Sequence, residues 1–522
     1  MSGIFDGYPR HPHHFDEMVG DGAARPAYAS LDTQLERLGL EELRSRSEYL
    51  KSVYIDQGVT FDIGGEERPF PLDIVPRVLA ADDFAHIQVG SQQRVRALEA
   101  FLSDIYTEGR CFADGVIPRR VVASSPHFHR VVHGITSANG VRIHVAGIDL
   151  VRGDDGVFRV LEDNVRSPSG VSYVMTNRRA MFSALPEASI GHAVRPVEEY
   201  PQQLLRALRS AAPSGVSDPT VVVLTPGVYN SAYFEHALLA RMMGVELVEG
   251  RDLVCRGGQV ALRTTRGLRP VHVIYRRIDD EFLDPAAFRA DSLLGCAGLI
   301  NAARNGQVTI ANGVGNGVAD DKLVYSYVPD LIRYFLGEEP ILASVDTWRL
   351  EEPEAREEVL DRLAELVVKP VDGSGGKGIV IGPRASAEEL DTLRRRLELV
   401  PRGWIAQPVV QLSTVPTMID GQLRPRHVDL RPFVVNSGSD IDVLPGGLTR
   451  VALPEGELIV NSSQGGGSKD TWVRAESAAR PAPTVQAEPP RPPSVPQSRM
   501  NEFRALPQHE QQQQSRGTEG AC

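Results

Sequence analysis

The stretch Val367–Gly382, VVKPVDGSGGKGIVIG, decides how the chain is read. Lys369 closes an apolar, strand-like run. Gly373, Gly375, Gly376 and Gly378 follow around Ser374 and Lys377, and a second apolar run begins at Ile379. Glycine lets a backbone approach a ligand closely and aim successive N–H groups at it. A strand–glycine loop–strand therefore makes a flap suited to covering phosphates, with Lys369 and Lys377 supplying charge to the phosphate oxygens. It is not a Walker A loop, because neither GxxxxGKS nor GxxxxGKT is present and the next segment reads as strand, not helix. The competing reading is a plain hairpin turn, which needs one or two glycines and no interleaved lysine.

A second half-site lies far upstream in Gly147–Tyr173, GIDLVRGDDGVFRVLEDNVRSPSGVSY. Alternate residues of a strand share a face, so Glu162, Asn164 and Arg166 point the same way. If the preceding strand returns through a turn at Asp154-Asp155-Gly156, Asp149 lies beside Glu162. Two carboxylates and an asparagine oxygen make a hard site suited to Mg²⁺ with nucleotide phosphates. Arg166 on that face can balance charge on a transferred phosphoryl group. Ser167, Ser169 and Gly170 form a polar turn with N–H groups for an anionic substrate. The competing reading is a solvent-facing strand of mixed charge, and Asp155 and Asp163 are expected to be no more than that.

The surroundings suit a globular enzyme. The chain has 522 residues, 42% hydrophobic and 24% charged, enough for a large core and more than one domain. A net charge of -12 argues against a nucleic-acid partner held by a generally basic surface. Cys111, Cys255, Cys296 and Cys522 stand far apart in the sequence without finger spacing, and incidental thiols are expected. Met1–Gly20 lacks a signal-peptide pattern and no apolar run is long enough for a bilayer, so a cytoplasmic protein without membrane contact is expected.

Five regions are expected. Residues 1–30, rich in Gly, Pro, His and Asp, read as a flexible arm. Residues 31–215 carry the acidic strand, and Val95, Leu98, Leu102 and Ile105 fall at helical spacing. Residues 216–318 read as a substrate-side α/β unit without GxGxxG. Residues 319–474 carry the glycine flap and further strands. Residues 475–522, rich in Pro and Gln, are expected to be disordered. The fold class is α/β, built of α+β subdomains.

These motifs resemble the ATP-grasp superfamily, which clasps ATP between two α+β subdomains. Lys322 is similar to its first lysine, and Lys369 with its glycines to the second lysine and flap. Gln407, at the end of the strand-like WIAQPVV, is similar to the hinge residue near adenine, although an acidic residue is commoner there. Glu162-x-Asn164-x-Arg166 is similar to the metal strand, but here it precedes the lysines. That order, with GIDLVR, VLEDNVRSPSGVSY, LVYSYVPDLIRYFLGEEPIL, VVKPVDGSGGKG and NSSQGGGSKDTWV, resembles the bacterial circularly permuted ATP-grasp type 2 family over about residues 31–474.

The resemblance implies a carboxylate–amine ligase using ATP and Mg²⁺, with small-molecule or peptide acid and amine substrates. A phosphotransferase on the same fold and a silent nucleotide-binding scaffold are the rivals. It also implies that Arg431, alternating with Asp429, lines the site as a catalytic residue, and that Lys469, in the second glycine loop, binds substrate.

Overall fold

The structure is a computed structural model that describes residues 3–9, 14–21, 23–63, 66–191, 193–373, 378–458, 460 and 466–475. Its principal sheet has nine strands and joins segments from opposite ends of the chain. Strand Val145–Arg152 turns back into Phe158–Asn164, as the Asp154-Asp155-Gly156 turn predicts. Its other edge pairs antiparallel with later strands: Leu430 lies opposite Leu150, and Phe433 opposite Gly147. Burial explains the union, since Val145, Ile148, Leu150 and Val434 are all closed from solvent and must be covered on both sides.

The region 216–318 forms a parallel sheet in the order Thr309–Ala311, Val273–Arg276, Val221–Leu224, Glu246–Val248. Every side chain of Val221–Leu224 is buried, and helix Tyr233–Met243 makes the crossover to Glu246–Val248. A third sheet, in the order Trp348–Arg349, Trp404–Pro408, Leu366–Pro370, Val380–Ile381, carries the glycine flap. Helices Pro353–Asp361 and Ala387–Leu399 cover it, and Leu350, Val359, Leu393 and Leu397 fill the gap. Ser386 and Glu389 form a capping box that starts the second of these helices. The helical spacing around Val95 lies within helix Ala81–Ile105, which begins earlier than the sequence pattern shows.

Two expectations need correction. Part of the segment read as a loose arm is folded in: Asp16 and Glu17 are buried, Asp16 forms a bridge with Thr414, and Arg77 donates to Glu17 at 2.8 Å. Asp163 is not solvent-facing. It is 2% exposed, and Arg94 donates to both its oxygens at 2.6 and 2.7 Å. Asp155, by contrast, is exposed beside Arg159. Residues Met1–Ala475 form one compact unit, and the tail Glu476–Cys522 lies outside the described residues.

Candidate active site

A cavity of about 530 Å³ opens between the principal sheet and the flap-bearing sheet. Asp149, Glu162, Asn164 and Arg166 line it from the N-terminal half. Lys322, Lys369, Gly373, Gln407 and Arg431 line it from the later half. Asp149 is opposite Glu162 across the strand pair, and the register then slips so that Leu150 faces Val160. This irregularity turns Leu161 towards the cavity beside Glu162.

Cations and carboxylates alternate along the floor. Arg431 donates to Asp149 through Nη2 at 2.7 Å, and Arg450 reaches the same oxygen at 2.7 Å. Burial works to raise the Asp149 carboxyl, but these two guanidiniums outweigh it and hold it well below the usual carboxylate range. Arg450 is also bonded to Asp429, its cross-strand partner. Arg431 stands 3.9 Å from Glu162.

Lys322 starts a short helix at the rim, where Asp321 caps the helix by accepting from Leu323 N–H. Its ammonium donates to the Gly373 carbonyl at 2.7 Å and lies 3.3 Å from Glu162. Lys369 is the diagonal neighbour of Gln407, because Val367 is the residue directly opposite Gln407. Lys369 Nζ donates to Gln407 Oε1 at 2.6 Å, and Gln407 Nε2 donates to Thr347 at 2.9 Å. Gln407 is thus buried and engaged at both ends, unlike a solvated strand end. Burial, reinforced by Lys322 and opposed by Glu162, pushes Lys369 down to about 8. Beside Gln407 the wall is apolar: Ile381, Val410, Leu412, Leu458 and Val460 make a pocket suited to a flat aromatic base. Ser374, Gly375, Gly376 and Lys377 lie outside the described residues. Gly378 closes the loop at φ 76°, a conformation that favours glycine.

At the opposite end Arg166 stands 3.3 Å from Asp279 and 3.7 Å from Asp320. Burial disfavours its charge, but Asp320 and Asp279 more than compensate. Among the described residues, the buried atoms Asn164 Nδ2, Arg166 Nε and Ser167 Oγ have no hydrogen-bond partner. Unpaired polar atoms are costly when buried, and a bound polar ligand would satisfy them.

The structure revises three residue assignments. Lys469 does not line the cavity. It is fully buried, paired with Asp73 and bonded to the Val75 and Pro416 carbonyls at 3.1 and 2.8 Å, so it is a structural cation. Gly170 N–H is not free for substrate, because Glu235 accepts it at 2.5 Å. The Ser169 carbonyl is likewise taken by Arg431 at 3.2 Å, while the Ser167 hydroxyl has no hydrogen-bond partner among the described residues. Asp149 already carries two guanidiniums, so it would join a metal only by exchanging one of them. Glu162 and Asn164 fit a divalent cation better, since Mg²⁺ bound with phosphates needs only one or two protein oxygens. Among the described residues, no group of three His, Cys, Asp or Glu is disposed to hold a metal ion.

Sequence reading missed Arg450, Asp279, Asp320 and Glu235. Arg450 had one legible signal, its alternation with Leu448 on a strand. Glu235 had none, since it reaches the Ser167–Gly170 turn from helix Tyr233–Met243 of the parallel sheet.

The model of the circularly permuted ATP-grasp type 2 family matches residues 76–452. The chain belongs to this family. Similar chains include an uncharacterized protein of Mycobacterium tuberculosis H37Rv, 60% identical over 484 residues, covering 91% of this chain and 88% of the relative. One from Synechocystis is 50% identical over 88% of this chain and 96% of the relative. A Frankia casuarinae protein named as a candidate glutamate–cysteine ligase is 48% identical over 88% of this chain, which spans only 54% of that protein. Among solved structures, a glutathione synthetase-like effector of Globodera pallida superposes with a TM-score of 0.54 over 83% of this chain and 97% of that one, at 11% identity. That likeness concerns the fold, and it agrees with an ATP-grasp architecture of mixed helices and sheets.

Proposed function

We propose that this chain is an ATP- and Mg²⁺-dependent, ADP-forming carboxylate–amine ligase that makes a peptide-like amide bond through an acyl phosphate. The observation that carries this reading is the meeting of Glu162, Asn164 and Arg166 with Lys322 and Lys369 in one cavity that has an apolar end. The ATP-grasp family and the ligase name of the Frankia relative both support an ATP-dependent ligase in general.

In this mechanism the apolar pocket takes the adenine, with the Gln407 amide at its edge. Lys322, Lys369 and the flap from Gly373 to Gly378 hold the phosphates. Glu162 and Asn164 would hold Mg²⁺, which would neutralise phosphate charge. The substrate carboxylate, received near Ser167 and Ser169, attacks the γ-phosphoryl group and displaces ADP, giving the acyl phosphate, while Arg166 and Arg431 balance the developing charge. The neutral amine then attacks the acyl carbon, a C–N bond forms, the C–O bond to phosphate breaks, and phosphate and the amine's proton depart. Exclusion of water from the cavity would protect the acyl phosphate from hydrolysis. The segments 31–215 and 319–474 would form the ATP-grasp module, and 216–318 the substrate side. Small acids, amines or peptides are the proposed substrates, and the cytoplasm the proposed compartment.

Mass spectrometry of products after incubation with ATP, Mg²⁺ and a cell extract tests the reading. The expected outcome is ADP with a new amide, and loss of ATP turnover in Glu162→Ala and Lys369→Ala with unchanged circular dichroism. A stable phosphorylated product would instead indicate a phosphotransferase. Normal turnover in both variants would sink the assignment.

A further inference from the structure

The cysteines that look isolated in sequence do not stay apart in the fold. Cys255 lies on strand Leu253–Arg256, and Cys296 follows the short helix Asp280–Leu283. Their sulfurs are 3.6 Å apart, although 41 residues separate them. Neither is part of the cavity wall.

The backbone holds this approach in place. Cys296 N–H donates to the Leu283 carbonyl at 2.9 Å. Asp284 accepts from Gly298 N–H at 3.1 Å and from Ile300 N–H at 2.9 Å, which fixes the turn after Cys296. Gly295, next to Cys296, packs so closely that a Cβ there would lie 2.1 Å from the Leu283 carbonyl oxygen. The backbone around Cys296 is therefore fixed, and side-chain rotation sets the distance between the sulfurs. Exposure differs between them: Cys296 is buried, whereas Cys255 is half-buried and reachable. A disulfide needs an S–S distance of about 2.0 Å, so side-chain rotation has roughly 1.6 Å left to close.

We propose that Cys255 and Cys296 form a reversible dithiol–disulfide site that reacts with low-molecular-weight disulfides. Cys255, the less buried of the pair, loses its proton to solvent, and its sulfur attacks one sulfur of the external disulfide, forming a mixed disulfide and releasing one thiolate. Cys296, losing its proton, attacks the Cys255 sulfur, forms the internal bond and releases the second thiolate. Two protein thiols are oxidised, and the external disulfide is reduced to two thiols. The cross-link closes a loop that contains Arg277, which donates to the Pro168 carbonyl at 2.8 Å, and Asp279 at the cavity wall. Oxidation thus tethers the segment that carries both. Disulfides formed inside cells are usually transient or redox-sensing, and a half-buried thiol beside a buried resolving thiol has the geometry for that use.

The test uses the full chain carrying Cys522→Ser, treated with glutathione disulfide and then mapped by peptide mass spectrometry. The expected product is a Cys255–Cys296 peptide pair, with the intact chain about 2 Da lighter and restored by dithiothreitol. Melting of the oxidised chain should shift upward by about 2 °C or more. Cys296→Ser should instead accumulate a lasting glutathione adduct on Cys255. The proposal is overturned if both thiols stay reduced under these conditions, or if the wild-type pair stops at a stable adduct on Cys255 with Cys296 free. The mapping of the unsubstituted pair decides the matter even if Cys296→Ser does not fold.

Discussion

Lys322 Nζ lies 3.3 Å from Glu162 Oε2, and this contact joins the two halves of the site. The same ammonium holds the Gly373 carbonyl at the root of the flap. Lys322→Met removes the charge but keeps most of the side-chain volume. Nucleotide affinity, read by calorimetry with a non-hydrolysable ATP analogue, should fall at least tenfold, equivalent to about 1.4 kcal/mol. Because the contact is partly exposed, stability should change by less than about 1 kcal/mol. An unchanged affinity would remove Lys322 from the nucleotide site.

Asp149 sits beneath that contact as the shared counter-charge of Arg431 and Arg450. Asp149→Asn leaves two buried guanidiniums short of one negative charge. Breaking a buried pair from one side costs about 3–5 kcal/mol, so denaturant unfolding should show a loss of that order without any metal present. A residue whose sole task was to hold a cation would show no loss, or a gain, in metal-free buffer. The folded-state carboxyl is held below its ordinary value, so its stabilisation is present above about pH 4 and fades as the pH falls further.

Lys469 tests the opposite case. Lys469→Met should strand the Asp73 carboxylate and lower stability by on the order of 3 kcal/mol. Nucleotide affinity of the folded fraction should stay within twofold, because the side chain does not reach the cavity. A selective loss of binding at unchanged stability would restore Lys469 to the substrate site.

The difference between Lys369 and Lys469 shows what a sequence of this kind can tell. Both lysines sit beside glycines. Lys369 ends a periodic apolar run, and that run fixes which face of the sheet it shares with Gln407. Lys469 ends a short strand whose sides are both covered, by segments as distant as Asp73 and Pro416, and no local pattern records that. The alternation of Glu162 and Asn164 and the turn at Gly156 are local, so the acidic strand could be read, although it ends at Asn164 and leaves Arg166 beyond it. Arg450, Asp320 and Glu235 reach the site from other strands, a short helical turn and another sheet, and only tertiary pairing reveals them. The turn Ser167–Gly170 was legible as a turn, but not the capture of the Gly170 N–H by Glu235.

Asp320 lines the cavity with one oxygen accepting from Val165 N–H at 2.7 Å. Burial, against the pull of Arg166, raises its carboxyl to about 7. The folded state therefore holds a proton that the unfolded chain has lost between about pH 4 and 7, and stability falls across that window as the pH rises. Above pH 7 the full cost of the buried charge is present. Asp320→Asn keeps an acceptor for Val165 and removes that cost. It should raise stability at pH 8 by on the order of 2 kcal/mol and change it little at pH 4. Parallel denaturant curves at the two pH values check this, and an equal change at both would contradict it.

Lys369 gives the corresponding signature in binding. Its ammonium titrates near 8 in the ligand-free protein, because burial and Lys322 disfavour its charge more than Glu162 supports it. Nucleotide phosphates would favour the charged form, so above pH 8 binding must take up a proton. Affinity for a non-hydrolysable ATP analogue should accordingly weaken about tenfold from pH 7.5 to pH 9, a slope approaching one proton per nucleotide. Calorimetry in buffers of different ionisation enthalpy reads that proton directly. Lys369→Arg carries a charge that does not titrate in this range, so it should bind more weakly at pH 7.5 yet lose the pH dependence. The same slope in wild type and Lys369→Arg would assign the titration to another group and take Lys369 out of contact with the phosphates.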